Sequence, residues 1–120
     1  MDDLKLCESD YRFMCVIWDN EPVQSGTLVK LCADKLGWKK STTYTTLKKM
    51  VEKGFAKNED TVVYSTVEKE SVCRAASEHF VEHTFQGSLP GFLVSFLGNK
   101  KITKAEAEEL KRLIDEHRKE

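Results

Sequence analysis

The stretch GWKKSTTYTTLKKMVEKGFAKNEDTVVYSTV, residues 37–67, reads as a cationic helix followed by a short two-stranded ribbon. With Ser41 at or near the N-cap, Thr43, Leu47, Met50, Val51 and Gly54 recur at the i, i+4, i+7, i+8, i+11 spacing of a buried helical face. The opposite face carries Thr42, Tyr44, Thr45, Lys48, Lys49 and Glu52. Hydroxyls, an aromatic ring and ammonium groups suit base edges and phosphates in a major groove. Lys39, Lys40 and Ser41 stand at the start of the same helix and join Thr42, Tyr44, Thr45, Lys48 and Lys49 as candidate DNA-contacting residues. Gly54 is placed to end the helix as a C′ glycine. Extended runs at 55–58 and 61–67 follow, around Glu59-Asp60. A helix and then a hairpin, with another helix pair upstream, is the order of a winged helix-turn-helix.

Charge is unevenly distributed along the chain. The net charge is only −1, yet residues 30–57 hold eight lysines against Asp34 and Glu52, a net of +6. The flanking segments, 1–29 and 58–120, carry −4 and −3. The positive potential therefore coincides with the candidate recognition helix. A solvated lysine face on an ordinary helix is the plainer reading of the same charges.

The chain length, 120 residues, allows one domain or two small ones sharing a core, and 40% hydrophobic content fits a folded protein. No apolar run reaches 18 residues, so no membrane span is expected. The opening MDDLKLCESD is acidic and has no apolar segment of the kind a secretory signal needs. A cytoplasmic location is the expectation. Cysteines at 7, 15, 32 and 73 match no zinc-ribbon spacing and read as reduced thiols, with Cys15 and Cys32 as small packing residues in helices. No cofactor and no metal is expected.

Upstream, a first helix is expected at about residues 9–19, with Ser9, Cys7 or Glu8 at its start and Tyr11, Met14, Ile17 and Trp18 on one face. Asn20-Glu21-Pro22 stops it. Val23-Gln24 can form a small strand beside the hairpin. Ser25 caps a second helix at residues 27–36, with Leu28, Leu31, Cys32 and Leu36 inward and Gly37 at its end.

Downstream, residues 68–85 read as a fourth helix with Val72, Ala76, Phe80, Val81 and Phe85 on its apolar side. Ser88 can cap a fifth, LPGFLVSFL at 89–97, which is apolar almost all round. Thr103-x-x-Glu106 is a capping box for a sixth, with Ala107, Leu110, Leu113 and Ile114 as its stripe. These segments predict a mainly α chain with a small β-hairpin: a winged-helix DNA-binding domain at 1–67 and a helical dimerisation domain at 68–120. The last three helices are too short for a stable core of their own. A symmetric dimer resolves this, with Phe80, Phe85, Leu89, Phe92, Leu93, Phe96, Leu97, Leu110 and Leu113 between chains. Docking of these helices onto the first domain is the alternative.

The chain resembles the penicillinase-repressor family of winged-helix regulators. The resemblance lies in FMCVIW, GWKKSTTYTTLKKMVEKG, HFVEHTFQGSLPGFLVSFL and ITKAEAEELKRLID, which span nearly the whole sequence in the family's order. It implies a homodimeric DNA-binding repressor on a palindromic operator, released when a sensor or protease system triggers cleavage in the dimerisation segment. The family's cleavage point is an Asn-Phe bond in the fifth helix. The matching bond here is Ser95-Phe96. The copper-responsive branch of the family carries a C-terminal cysteine cluster, whereas this chain has no cysteine after Cys73.

Two other functional classes compete with this one. His79-Phe80-Val81-Glu82-His83 matches the HxxEH pattern of inverted zinc peptidases, but that chemistry needs a third ligand and a cleft. No phosphate loop and no nucleophile elbow is present, so no enzyme is expected. The remaining alternative is a dimeric winged-helix interaction module without DNA binding, against which the lysine block argues.

Overall fold

The structure, a computed structural model, describes residues 4–119. The chain forms two compact units, one ending at Phe80 and the other beginning at Val81. Its element order is α1 (Glu8–Asn20), β1 (Val23–Gln24), α2 (Ser25–Leu36), α3 (Lys40–Glu52), β2 (Ala56–Glu59), β3 (Val62–Ser65), α4 (Lys69–Phe85), α5 (Leu89–Leu97) and α6 (Lys104–Glu116). This is the winged helix-turn-helix order followed by three helices. The unit boundary falls inside α4.

In the first unit, α1, α2 and α3 pack around Phe13, Met14, Ile17, Leu28, Cys32, Leu47 and Met50. Val23, Phe55, Ala56 and Val63 close that core from the sheet side, and Val72 of α4 joins it. The buried stripe of α1 is Phe13, Met14, Val16 and Ile17 together with Asp10. Tyr11 and Trp18, expected on the inner face, instead lie half-buried at its edge as a T-shaped pair 6.0 Å apart. The Trp18 indole N–H donates to the Val67 carbonyl at 3.0 Å. Of the three starts that the sequence offers for α1, Cys7 is the N-cap, and it makes no side-chain cap bond. Ser25 is the first residue of α2 and is buried, with Gln24 at the N-cap. Gly37 ends α2 at φ 71°, a conformation that a Cβ disfavours, and its N–H donates to the Ala33 carbonyl.

The three strands are antiparallel in the order β1-β3-β2. Val23 and Gln24 pair with Val63 and Val62, so the small strand expected before α2 does join the hairpin. Glu59 pairs with Val62, leaving Asp60 and Thr61 as a two-residue turn with φ 50° and 66°. Positive φ at both central residues is the twist that a tight hairpin requires.

In the second unit, Ser88 caps α5 by accepting from the Gly91 N–H at 2.9 Å. Thr103 caps α6 by accepting from the Glu106 N–H at 3.1 Å. Phe92 stands edge-on to Phe85 at 5.6 Å and stacks with Phe96 at 5.7 Å. Lys100 Nζ donates to the Phe96 carbonyl at 2.9 Å and lies 5.0 Å from the centre of its ring. No described residue of α5 or α6 is buried within the chain. Leu89 is 56% exposed, Val94 74%, Phe96 57% and Ile114 57%.

Candidate nucleic-acid interface

Helix α3 begins two residues earlier than a cap at Ser41 implies. Its N-cap is Lys39, which makes no side-chain cap bond, and Ser41 lies inside the first turn. The hydroxyl of Thr43 donates back to the Lys39 carbonyl at 3.1 Å. That bond satisfies a hydroxyl that is fully buried against α2. The neighbouring Cys32 thiol has its pKa raised, by burial first, with the Thr43 hydrogen bond working against the shift.

The buried face of α3 is Thr43, Thr46, Leu47 and Met50. Val51, assigned to this face by periodicity, is instead exposed at 37%. It sits with Tyr44, Leu47, Lys48, Glu52 and Asn58 around an open groove between α3 and β2. Thr46, three residues after Thr43 and so on the same face by helical spacing, is buried.

All eight candidate contact residues are on the solvent side: Lys39, Lys40, Ser41, Thr42, Tyr44, Thr45, Lys48 and Lys49. Helical spacing groups Ser41, Tyr44 and Lys48 on one stripe and Thr42, Thr45 and Lys49 on the adjacent one. Lys39 and Lys40 add positive charge at the end of the helix where unpaired N–H groups already favour anions. Lys49 differs from the others because its Nζ lies 2.8 Å from Oδ2 of Asp10 in α1. The hydrogen bond to Asp10 is the main reason the Lys49 ammonium holds its proton above the usual lysine range.

The exit of α3 is fixed by two backbone bonds. The Gly54 N–H donates to the Val51 carbonyl at 3.1 Å and the Phe55 N–H to the Met50 carbonyl at 2.9 Å. Gly54 has φ 85° and Phe55 is buried beside Met50, the full Schellman arrangement. The chain passes directly from this cap into β2. At the wing, the Tyr64 hydroxyl donates to Glu59 at 2.8 Å, which raises the Tyr64 pKa. Glu59 and Asp60 make the wing tip acidic, which phosphate repels.

Residues that sequence reasoning did not single out are Asp10, Glu21 and Thr46. In the sequence, Asp10 is only one more charge in a first turn. The two histidines of the HxxEH match lie in α4, with His79 Nε2 3.5 Å from Lys5 Nζ. Among the described residues no group of three or more His, Cys, Asp or Glu converges as a metal site.

The winged-helix order, the exposed basic face of α3 and the three following helices can be compared with known families. A sequence model described as Penicillinase repressor matches residues 6–116. The chain belongs to the penicillinase-repressor family. A penicillinase repressor from Bacillus licheniformis is 22% identical over 118 residues, covering 95% of this chain and 92% of that protein. The match to the penicillinase-repressor family thus spans both compact units, and the resemblance read from the four sequence motifs holds. The family is one of DNA-binding transcriptional repressors, not of enzymes. Among the described residues of this family member, no helix is long and apolar enough to cross a membrane.

Proposed function

We propose that this chain is a homodimeric, sequence-specific transcriptional repressor that acts in the cytoplasm, binds a palindromic operator through α3 and is released by an upstream signal. The observation that carries the reading is the solvent-facing side of α3, where cations and hydroxyls share one exposed surface on a winged-helix frame. Lys39, Lys40 and Lys48 are assigned to phosphates, and Ser41, Thr42, Tyr44 and Thr45 to base edges. The region before residue 68 is assigned to DNA binding and the region after it to assembly.

Homodimerisation is supported by the apolar surface that the second unit leaves in solvent. Leu89, Phe96, Leu110 and Leu113 are exposed in the single chain, while Phe85, Phe92, Leu93 and Leu97 are only half-buried. Phe80, in the first unit, is 49% exposed and belongs to the same proposed interface. Apolar area of this extent is favourably removed from water, and two copies related by a twofold axis would do so with one surface. Two recognition helices on one dimer would read two half-sites. Release is assigned to a sensor or protease system acting at Ser95-Phe96, both exposed on α5.

The second reading, a dimeric interaction module without DNA binding, is favoured only by the acidic wing tip. Selection of duplexes from a random-sequence pool, followed by mobility-shift titration and sedimentation of the complex, tests the proposal. Enrichment of an inverted repeat bound by two chains is the expected result. Absence of any shifted duplex at low salt would overturn it in favour of the interaction module.

A further inference from the structure

We infer that Asp10 of α1 is a positioning residue for the recognition helix, and that Lys49 serves as its partner and not as a phosphate ligand. The inference deepens the DNA-binding reading and rests on it. Asp10 is 3% exposed and Lys49 Nζ lies 2.8 Å from its carboxylate. At that distance the contact is a charge-assisted hydrogen bond, among the stronger polar contacts a protein makes. A lysine drawn away to a phosphate would leave a carboxylate buried without that partner, which is strongly unfavourable. Among the described residues no carboxylate pairs with Lys48, the adjacent cation. Two neighbouring lysines on one exposed face therefore have different roles.

The pair also fixes orientation. Lys49 shares its stripe of α3 with Thr42 and Thr45, two turns and one turn nearer the helix start. Pinning Lys49 to α1 sets the rotation of that stripe about the helix axis, and with it the direction in which the two hydroxyls face. A small rotation would degrade hydrogen bonds to base edges while leaving phosphate attraction nearly intact, because the first is directional and the second is not. Asp10 thus acts on sequence preference through Lys49 without touching DNA.

The test compares the wild type with Lys48→Gln, Lys49→Gln, Lys49→Arg and Asp10→Asn. Each is titrated across salt on the duplex that the wild type selects and on a scrambled duplex of equal length. Lys48→Gln should flatten the salt dependence by about 0.9 log unit per log salt for each phosphate no longer neutralised. Lys49→Gln should leave that slope unchanged and Asp10→Asn, which frees Lys49, should not flatten it, while both should reduce the preference for the selected duplex by roughly tenfold, about one specific base interaction. Lys49→Arg, which keeps the pair, should retain the wild-type preference.

A slope for Lys49→Gln as shallow as that of Lys48→Gln would overturn the inference. Equal losses by Asp10→Asn on both duplexes would also overturn it, since general destabilisation acts on both. A wild type that binds neither duplex sinks the DNA-binding reading instead. The pairing itself is read without DNA, by NMR titration of the Lys49 ammonium. Its pKa should fall in Asp10→Asn, and an unaltered titration would reject the pair.

Discussion

The carboxylate of Glu21 accepts hydrogen bonds from both the backbone N–H and the hydroxyl of Ser65, at 2.7 and 2.8 Å. The register explains why. Val23 pairs with Val63, so an extended β1 would bring residue 21 opposite residue 65. The Glu21 side chain takes over the bond to β3 that the backbone of β1 no longer provides. Glu21→Ala should lower stability by about 1 kcal/mol, the net worth of such a bond at an exposed site, with Glu21→Gln losing less. Urea denaturation of the three proteins decides it, and an unchanged midpoint for Glu21→Ala would show the clamp to be idle.

Alkaline pH should weaken the first unit, with Tyr11 as one contributor. Its hydroxyl lies 3.4 Å from the Cys73 sulfur, and that contact, followed by burial and Cys15, pushes its pKa well above the usual tyrosine value. Below about pH 10 the folded and unfolded chains both keep this proton, so stability is unaffected. Above it the unfolded chain ionises first, the folded chain holds more protons, and stability falls. Tyr64 and Lys49, also raised, act with the same sign. Tyr11→Phe should therefore lose less stability between about pH 10 and 11 than the wild type. Parallel curves of unfolding free energy against pH would remove Tyr11 from this account.

Tyr44, 37% exposed on the outer face of α3, is proposed to contact a base or a thymine methyl. Tyr44→Ala should cost about 1–3 kcal/mol on the selected operator and less on random duplex. Its ring also borders the groove with Val51, so the fold of the variant needs checking by thermal melting. Equal losses on both duplexes would reassign Tyr44 to the backbone or to packing.

Phe96→Asp should separate the proposed dimer. A carboxylate placed between two apolar surfaces costs several kcal/mol when unpaired, whereas Phe96 in a lone chain is 57% exposed and tolerates the change. Each monomer keeps α3 but loses the gain of two linked half-sites, which can reach about a hundredfold or more. Sedimentation and operator titration should change together. A variant that remains dimeric, or a monomer of undiminished affinity, would separate this helix from repression.

The order of elements was legible because proline and glycine mark its ends. Pro22 stops α1, and Gly37 and Gly54 end α2 and α3, whereas the wing turns at Asp60-Thr61, one residue beyond the Glu59-Asp60 that the sequence suggested. The helix starts were less legible. For α1 the sequence left Ser9, Cys7 and Glu8 open and Cys7 is the cap; for α3 Ser41 was the natural cap, yet Lys39 holds that position, and neither cap makes a side-chain bond. The burial of Thr46 was also missed: its i+3 spacing from Thr43 puts it on the inner face, but the apolar Val51 was favoured there. The link from Asp10 to Lys49 joins residues far apart in sequence, and neither residue alone announces it. All eight residues that the sequence offers as DNA contacts do lie in solvent, although one of them, Lys49, turns back to Asp10.

The apolar side chains that α5 and α6 leave in water give the dimer reading a quantitative corollary. A regulator completed by its own twin responds to its copy number. Well below the dissociation constant of the pair, halving the number of chains cuts the number of pairs about fourfold by mass action. Operator occupancy would then fall more steeply than protein abundance during dilution by growth. A modest drop in synthesis could open the gene without any cleavage at all.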